Sequence, residues 1–186
     1  MTTVLEQAHS TLRRFGDEVK GYKVEILRGH IMMSPVRPVH NSTIRRVWNA
    51  FEEQVGVEWG FISDVGSEFT EADTELCPDL AILPKEEEVK NLSKYSPELF
   101  EVVVEVISPG SILRDYDVKA EFYANAGIPF YVILDPYEAQ CTWLSTPEAG
   151  RYTDRGRCGY GGEVILATPV GDLRLDTSKL PTDPGS

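Results

Sequence analysis

A mixed α/β fold, with a central mixed β-sheet flanked by helices and added antiparallel hairpins, is the architecture expected of this 186-residue chain. Two observations carry that expectation. The runs "EVVVEVIS" and "FYVILDP" are short and almost continuously apolar, as strands covered on both faces must be, and a helix-like segment, "SILRDYDVKAEFYANAGIP", lies between them. Strand, helix and strand in that order indicate a crossover between locally parallel neighbours, whereas the turn-rich segments near both ends read as antiparallel hairpins.

Along the chain, residues 1–19 form an N-terminal helical segment, 20–176 a single domain and 177–186 a C-terminal tail. Val4, Leu5, Leu12 and Phe15 fall roughly on one side of the first helix, and Gly16 and Gly21 bracket its exit. "GYKVEILRGHIMMSP" is a hairpin in which Tyr22, Val24 and Ile26 alternate and Gly29 turns the chain. Ile44, Val47, Trp48, Phe51 and Val55 have the spacing of an amphipathic helix, opened by Asn41 or Ser42 and stopped by Gly56. "VEWGFISDVG" and "CPDLAILP" are further strand-like runs. Lys85–Glu98, mostly charged, is either a solvated connection or a flap over a site. Ser111 can cap the next helix, Gly127 suits its end and Pro129 stands just beyond. "CTWLS" and "EVILATPVGDLRLD" complete the chain as hairpins.

Composition narrows the chemistry. With 41% hydrophobic residues the chain can bury roughly 70% of its unfolded surface in one core. The longest purely apolar run, Phe130 to Leu134, is too short to span a bilayer, and the first residues lack the pattern of a leader; a soluble, cytoplasmic protein with no membrane partner is expected. Cys77, Cys141 and Cys158 include no CxxC, and His9, His30 and His40 form no HxH or HExxH, which argues against a zinc site or a disulfide framework. A formal charge of −12 argues against coating nucleic acid by bulk electrostatics, but not against a local site that meets phosphate through a divalent cation.

One residue is out of place in the apolar pattern. Glu105 sits among Val102, Val103, Val104, Val106 and Ile107, and a carboxylate taken out of water without a partner costs several kcal/mol. Asp79 opens the "LAIL" run. If the two runs are neighbours in one sheet, both carboxylates can project at one rim, where at about 4 Å they would repel by ~1 kcal/mol in water and ~4 kcal/mol at an effective dielectric near 20. A magnesium ion resolves the conflict, because it takes oxygen ligands and keeps several waters beside one or two protein carboxylates. Blander alternatives stay open at this point: Asp79 capping a turn beside Pro78, Glu105 paired with an arginine, Lys119 bonding Asp115 across one helical turn.

"CPDLAIL", then "EVVVEVISPGSILRDYDVKAEFYANAGIPFYVILDP", preceded by "YKVEILRGHIMMSP" and "VHNSTIRRVW", resembles the Uma-two family of restriction-endonuclease-like proteins, a branch of the PD-(D/E)XK nuclease superfamily. The resemblance runs from about residue 20 to 175 and is most specific between Val104 and Pro136. It implies a restriction-endonuclease-like core and a divalent-metal-dependent endonuclease acting on nucleic acid, DNA in the first instance, with Mg²⁺ or Mn²⁺ as cofactor. By it Asp79 and Glu105 are metal carboxylates and catalytic residues, and the backbone carbonyl of Val106 is a third ligand. The superfamily pattern would place lysine two residues after Glu105, where this chain has Ile107. Lys119 on the following helix is the substitute the resemblance points to, and its spacing with Ile112, Tyr116 and Tyr123 puts it on the sheet-facing side. Glu25, His40 and Asp115 are secondary candidates; by alternation alone Glu25 faces solvent. Arg45, Arg46, Arg114, Lys85 and Lys90 could supply a local positive rim. Enzymes that cut both strands suit a homodimer. The departure at Ile107 leaves a second expectation: a catalytically inactive nuclease-fold module that binds nucleic acid or a protein partner.

Overall fold

Thr3 opens the first helix with a capping box, its hydroxyl accepting the Glu6 N–H while the Glu6 carboxylate accepts the N–H of Thr3. The structure is a computed structural model and describes residues 3–69, 72–108, 111 and 114–183. Helix α1 (Val4–Phe15) buries Leu5 and Ala8 against Ile26, but Val4 and Phe15 are 47% and 45% exposed, so the buried stripe is rotated from the one expected. The hairpin β1 (Tyr22–Leu27) and β2 (His30–Pro35) turns through Arg28 and Gly29, both at positive φ (49° and 78°), the conformation a tight two-residue turn requires. Helix α2 (Pro38–Glu52) starts earlier than Asn41 or Ser42, because Pro38 at its first turn has no N–H to leave unsatisfied; it also ends before Gly56.

The chain continues through β3 (Trp59–Ile62), β4 (Gly66–Phe69), β5 (Thr74–Leu76), β6 (Leu80–Pro84), a short helix α3 (Lys85–Glu88), β7 (Lys94–Tyr95) and β8 (Val102–Val106). A single π-helical turn, Arg114–Val118, leads into α4 (Lys119–Asn125), and β9 (Phe130–Asp135), β10 (Gln140–Glu148), β11 (Arg151–Gly159), β12 (Glu163–Thr168) and β13 (Gly171–Asp176) follow. "VEWGFISDVG" is therefore not one strand, and β4, β5 and β7 join β1 and β2 in a second sheet ordered β2-β1-β5-β4-β7. The segment Lys85–Glu98 is pinned rather than loose: Tyr95 is buried, accepts the Leu92 N–H and donates to the Glu88 carbonyl.

The central sheet is ordered β11-β10-β9-β8-β6-β3, with β8 and β9 parallel on either side of the α4 crossover and the other pairs antiparallel. Alternation divides its side chains. Val102, Val104 and Val106 pack with Val47 and Phe51 of α2 and with Leu166 and Leu173 of the β12-β13 hairpin; Val103 and Ile107 pack on the other face with Phe122 and Tyr123 of α4 and with Leu76 of the second sheet. Glu105 has the parity of Val103 and Ile107 and so enters the layer between the central sheet, α4 and the second sheet. Leu180 joins the α2 side of the core, and the Asp183 N–H bonds the Pro136 carbonyl, so the last described residues of the expected tail are docked. Among the described residues no helix is long and apolar enough to cross a membrane.

Candidate active site

Strand register creates the central juxtaposition. Leu80 on β6 lies opposite Val104 on β8 in an antiparallel pair, so the next positions outward, Asp79 and Glu105, face one another at the end of the sheet. Two bonds hold the approach to β6 in place: Ser63 Oγ donates to the Asp79 carbonyl, and the Asp64 N–H to that of Pro78. Asp79 and Glu105 are each 1% exposed.

Each carboxylate has one oxygen committed to the scaffold. Asp79 Oδ2 accepts the Val106 N–H at 2.7 Å and lies 3.0 Å from His40 Nε2. Glu105 Oε1 accepts from Lys119 Nζ at 2.8 Å and from the Tyr123 hydroxyl at 2.7 Å, donors one turn apart on the sheet-facing side of α4. Lys119 also lies 2.9 Å from Glu25 Oε1 and 3.4 Å from Asp115 Oδ1, so the one-turn pairing with Asp115 is its longest contact and not its main one. Glu25 Oε1 accepts the Cys77 N–H at 3.1 Å as well. Asp115 is held by the hydroxyl of Ser111, and its carbonyl accepts the Tyr131 hydroxyl at 2.8 Å.

The structure thus brings together Asp79, Glu105, Val106, Lys119, Glu25, His40 and Asp115. Two expectations change. Glu25 is buried at 3% exposure instead of facing solvent, because the polar side of β1 is covered by the sheet end and α4. Lys119 lies on the sheet-facing side of its helix, as its spacing indicates, 1% exposed and enclosed by carboxylates. Most of the expected positive rim is spent elsewhere: Arg46 bonds the Lys179 carbonyl, and Lys85 and Lys90 pair with Glu88 and Glu87. Arg45 remains beside the site, in a cleft of about 500 Å³ with Asn41, Trp48, Ser63 and Asp64; the Arg114 side chain, like Ile112, lies outside the described residues.

One residue was not foreseen. Lys23, two positions before Glu25 on the same face of β1, bonds Asp79 Oδ1 and lies 3.2 Å from Glu105 Oε2. The signal was present as a Lys-x-Glu pair alternating with Tyr22, Val24 and Ile26, but in a two-stranded hairpin the polar face is ordinarily the wet one.

The electrostatics follow from this packing. Four carboxylates, Glu25, Asp79, Glu105 and Asp115, meet two ammonium groups, Lys23 and Lys119, leaving a formal charge of −2 with His40 neutral. Burial pushes the Glu105 carboxyl up to about 7, outweighing the attraction of Lys119 and Lys23, while Asp79 and Glu25 push the same way. Burial also opposes ionisation of Asp79, but Lys23 and the hydrogen bond from His40 overcome it and hold that carboxyl well below the usual range. For His40, burial is outweighed by Asp79 and the pKa is raised; for Lys23 and Lys119, burial is outweighed by their carboxylate partners and both stay charged.

The donor set suits a hard divalent cation. Among the described residues no three His, Cys, Asp or Glu side chains form a ready-made cage, since lysines stand between the carboxylates. Mg²⁺ needs only one or two protein carboxylates, and carboxylate oxygens in a cluster of net formal charge −2 match it in hardness and sign.

A family model described as "Putative restriction endonuclease", Uma2, matches residues 10–178. The chain belongs to this Uma-two family. A crystal structure of a "putative nuclease belonging to DUF820" from Anabaena variabilis is similar in fold, with a TM-score of 0.65 at 14% identity over 84% of this chain and 88% of the other. No curated protein matches the chain. The restriction-endonuclease-like architecture expected of this Uma-two sequence is the one observed.

Proposed function

We propose that the protein is a divalent-metal-dependent endonuclease that hydrolyses phosphodiester bonds of DNA at the Asp79–Glu105 centre. The observation that carries this reading is the pairing of two buried carboxylates across β6 and β8, each with one oxygen fixed by the scaffold and the other turned toward the shared space. Asp79 and Glu105 would hold Mg²⁺ or Mn²⁺, with the Val106 carbonyl as a further oxygen at the rim. When bound, the ion supplies Lewis acidity toward phosphate and a lowered pKa for water.

The protein's own groups prepare that chemistry. The Val106 N–H and His40 fix Asp79 and keep it ionised. Lys119 acts through Glu105 as a positioning residue: with Tyr123 it fixes Oε1 and sets the direction of Oε2. Asp115 and Glu25 orient Lys119 in turn. Arg45 in the neighbouring cleft offers a positive group for the nucleic-acid backbone, which the acidic surface elsewhere would repel.

Ile107 favours the second reading, a binding module without turnover, because it is wholly buried among apolar side chains where the superfamily places its lysine. Purified protein incubated with supercoiled, linear and single-stranded DNA and with RNA, in Mg²⁺ or Mn²⁺, separates the two. Cleavage of DNA that a chelator abolishes supports the proposal, cleavage of RNA alone replaces the substrate, and retention of DNA without any cut supports the binding module.

A further inference from the structure

We infer that the amine of Lys23 holds the position of the divalent cation, and that the ion binds by displacing it. The inference rests on the metal reading of the site and goes beyond it by naming an internal competitor. Asp79 Oδ1 and Glu105 Oε2 are the two oxygens left over once the scaffold has taken Oδ2 and Oε1. Among the described residues both have the same single partner, the Nζ of Lys23. An ammonium group there does electrostatically what a cation would do, screening the two carboxylates from each other; the two cannot share that space.

The two lysines differ in their freedom to leave. Lys119 is 1% exposed and meets three carboxylates, which together hold its charge inside. The Lys23 side chain is 11% exposed and lies at the mouth of the site beside Ser34, Pro35 and Val36. Its four-carbon stem can swing the amine toward solvent without moving β1. A divalent ion gains more from two carboxylates than an ammonium does, and the amine released at the mouth recovers its hydration. Lys23 would keep the empty carboxylate pair compatible with folding, and metal affinity would be weaker than the carboxylates alone dictate.

Binding of Mn²⁺, followed by the loss of its free-ion electron paramagnetic resonance signal, tests this on wild type, Lys23→Met and Lys23→Arg. Removing the competing charge is expected to tighten the Kd roughly ten-fold or more in Lys23→Met, whereas Lys23→Arg, which keeps the charge, stays near wild type. Wild-type binding with unchanged or weaker affinity in Lys23→Met overturns the displacement while leaving the metal site standing; no Mn²⁺ bound by any of the three overturns both. A second measurement needs no variant. In ¹⁵N spectra of the lysine side-chain amines, saturating Mg²⁺ is expected to move the Lys23 Nζ resonance and leave that of Lys119 in place. A Lys23 resonance unmoved by bound Mg²⁺ overturns the inference.

Discussion

Lys119 Nζ and Glu105 Oε1 meet at 2.8 Å in a fully buried ion pair, joining the first helix after β8 to the strand it leaves. Because Lys119 also faces Glu25 and Asp115, its removal would leave three buried carboxylates around a space that held one positive charge. Lys119→Met is expected to cost about 3–5 kcal/mol of stability, the range for breaking a buried pair from one side. Urea unfolding followed by circular dichroism measures it; a loss below 1 kcal/mol would mean that the pair does not form.

Tyr123 shares that Glu105 oxygen at 2.7 Å. Tyr123→Phe removes one charge-assisted hydrogen bond and little volume, so the expected loss is about 1.5–3 kcal/mol, with Glu105 titrating higher than in wild type. Carboxyl ¹³C shifts against pH report the titration, and a downward shift would contradict the assignment.

Position 107 carries a sharper prediction. Ile107 is wholly buried in an apolar cluster, so restoring the superfamily lysine there places an ammonium against packed side chains. Ile107→Lys is expected to lose several kcal/mol and to lack improved cleavage. Gain of activity with an unchanged melting temperature would show that position 107 still opens onto the site.

Stability should also depend on pH in a definite direction. Folded Glu105 titrates near 7 against an ordinary 4.5, so on this group stability is present below 4.5 and is lost as pH rises through 7. His40, raised in the folded state, likewise contributes stability that is fully present below its ordinary 6.5 and is lost as pH rises above it. Asp79, lowered in the folded state, contributes stability above 3.8 that is lost as pH falls below it. In chelator the melting temperature should therefore fall from pH 5 to pH 8, and the increment from Mg²⁺ should grow over the same interval as Glu105 gives up its proton. A Mg²⁺ increment that shrinks with pH would contradict the role of Glu105 as a ligand.

The central strands were legible because Leu80–Leu83, Val102–Val104 and Phe130–Leu134 are apolar on both faces and need no partner to be recognised. The second sheet was not. Gly66–Phe69, Thr74–Leu76 and Lys94–Tyr95 are short and polar, and they become strands by pairing with β1 and with each other. Glu105 stood out as a charge inside an apolar run and Lys119 as one on the sheet-facing stripe of its helix, whereas Asp79, beside Pro78 at the start of its strand, stood out only through the family resemblance. Lys23 did not, since a lysine alternating with apolar residues in a hairpin has the pattern of an exposed side chain; only α4 and the sheet end, laid over that face, make it internal.

Glu105→Gln offers the most direct test. Glutamine imitates the protonated carboxyl that burial already favours at this position, so the fold should survive while the proposed charged ligand is lost. Single-turnover cleavage of supercoiled DNA in Mn²⁺ is expected to slow by about 100-fold or more in Glu105→Gln, with circular dichroism unchanged. Equal rates in wild type and variant would contradict a metal-dependent centre built on Asp79 and Glu105.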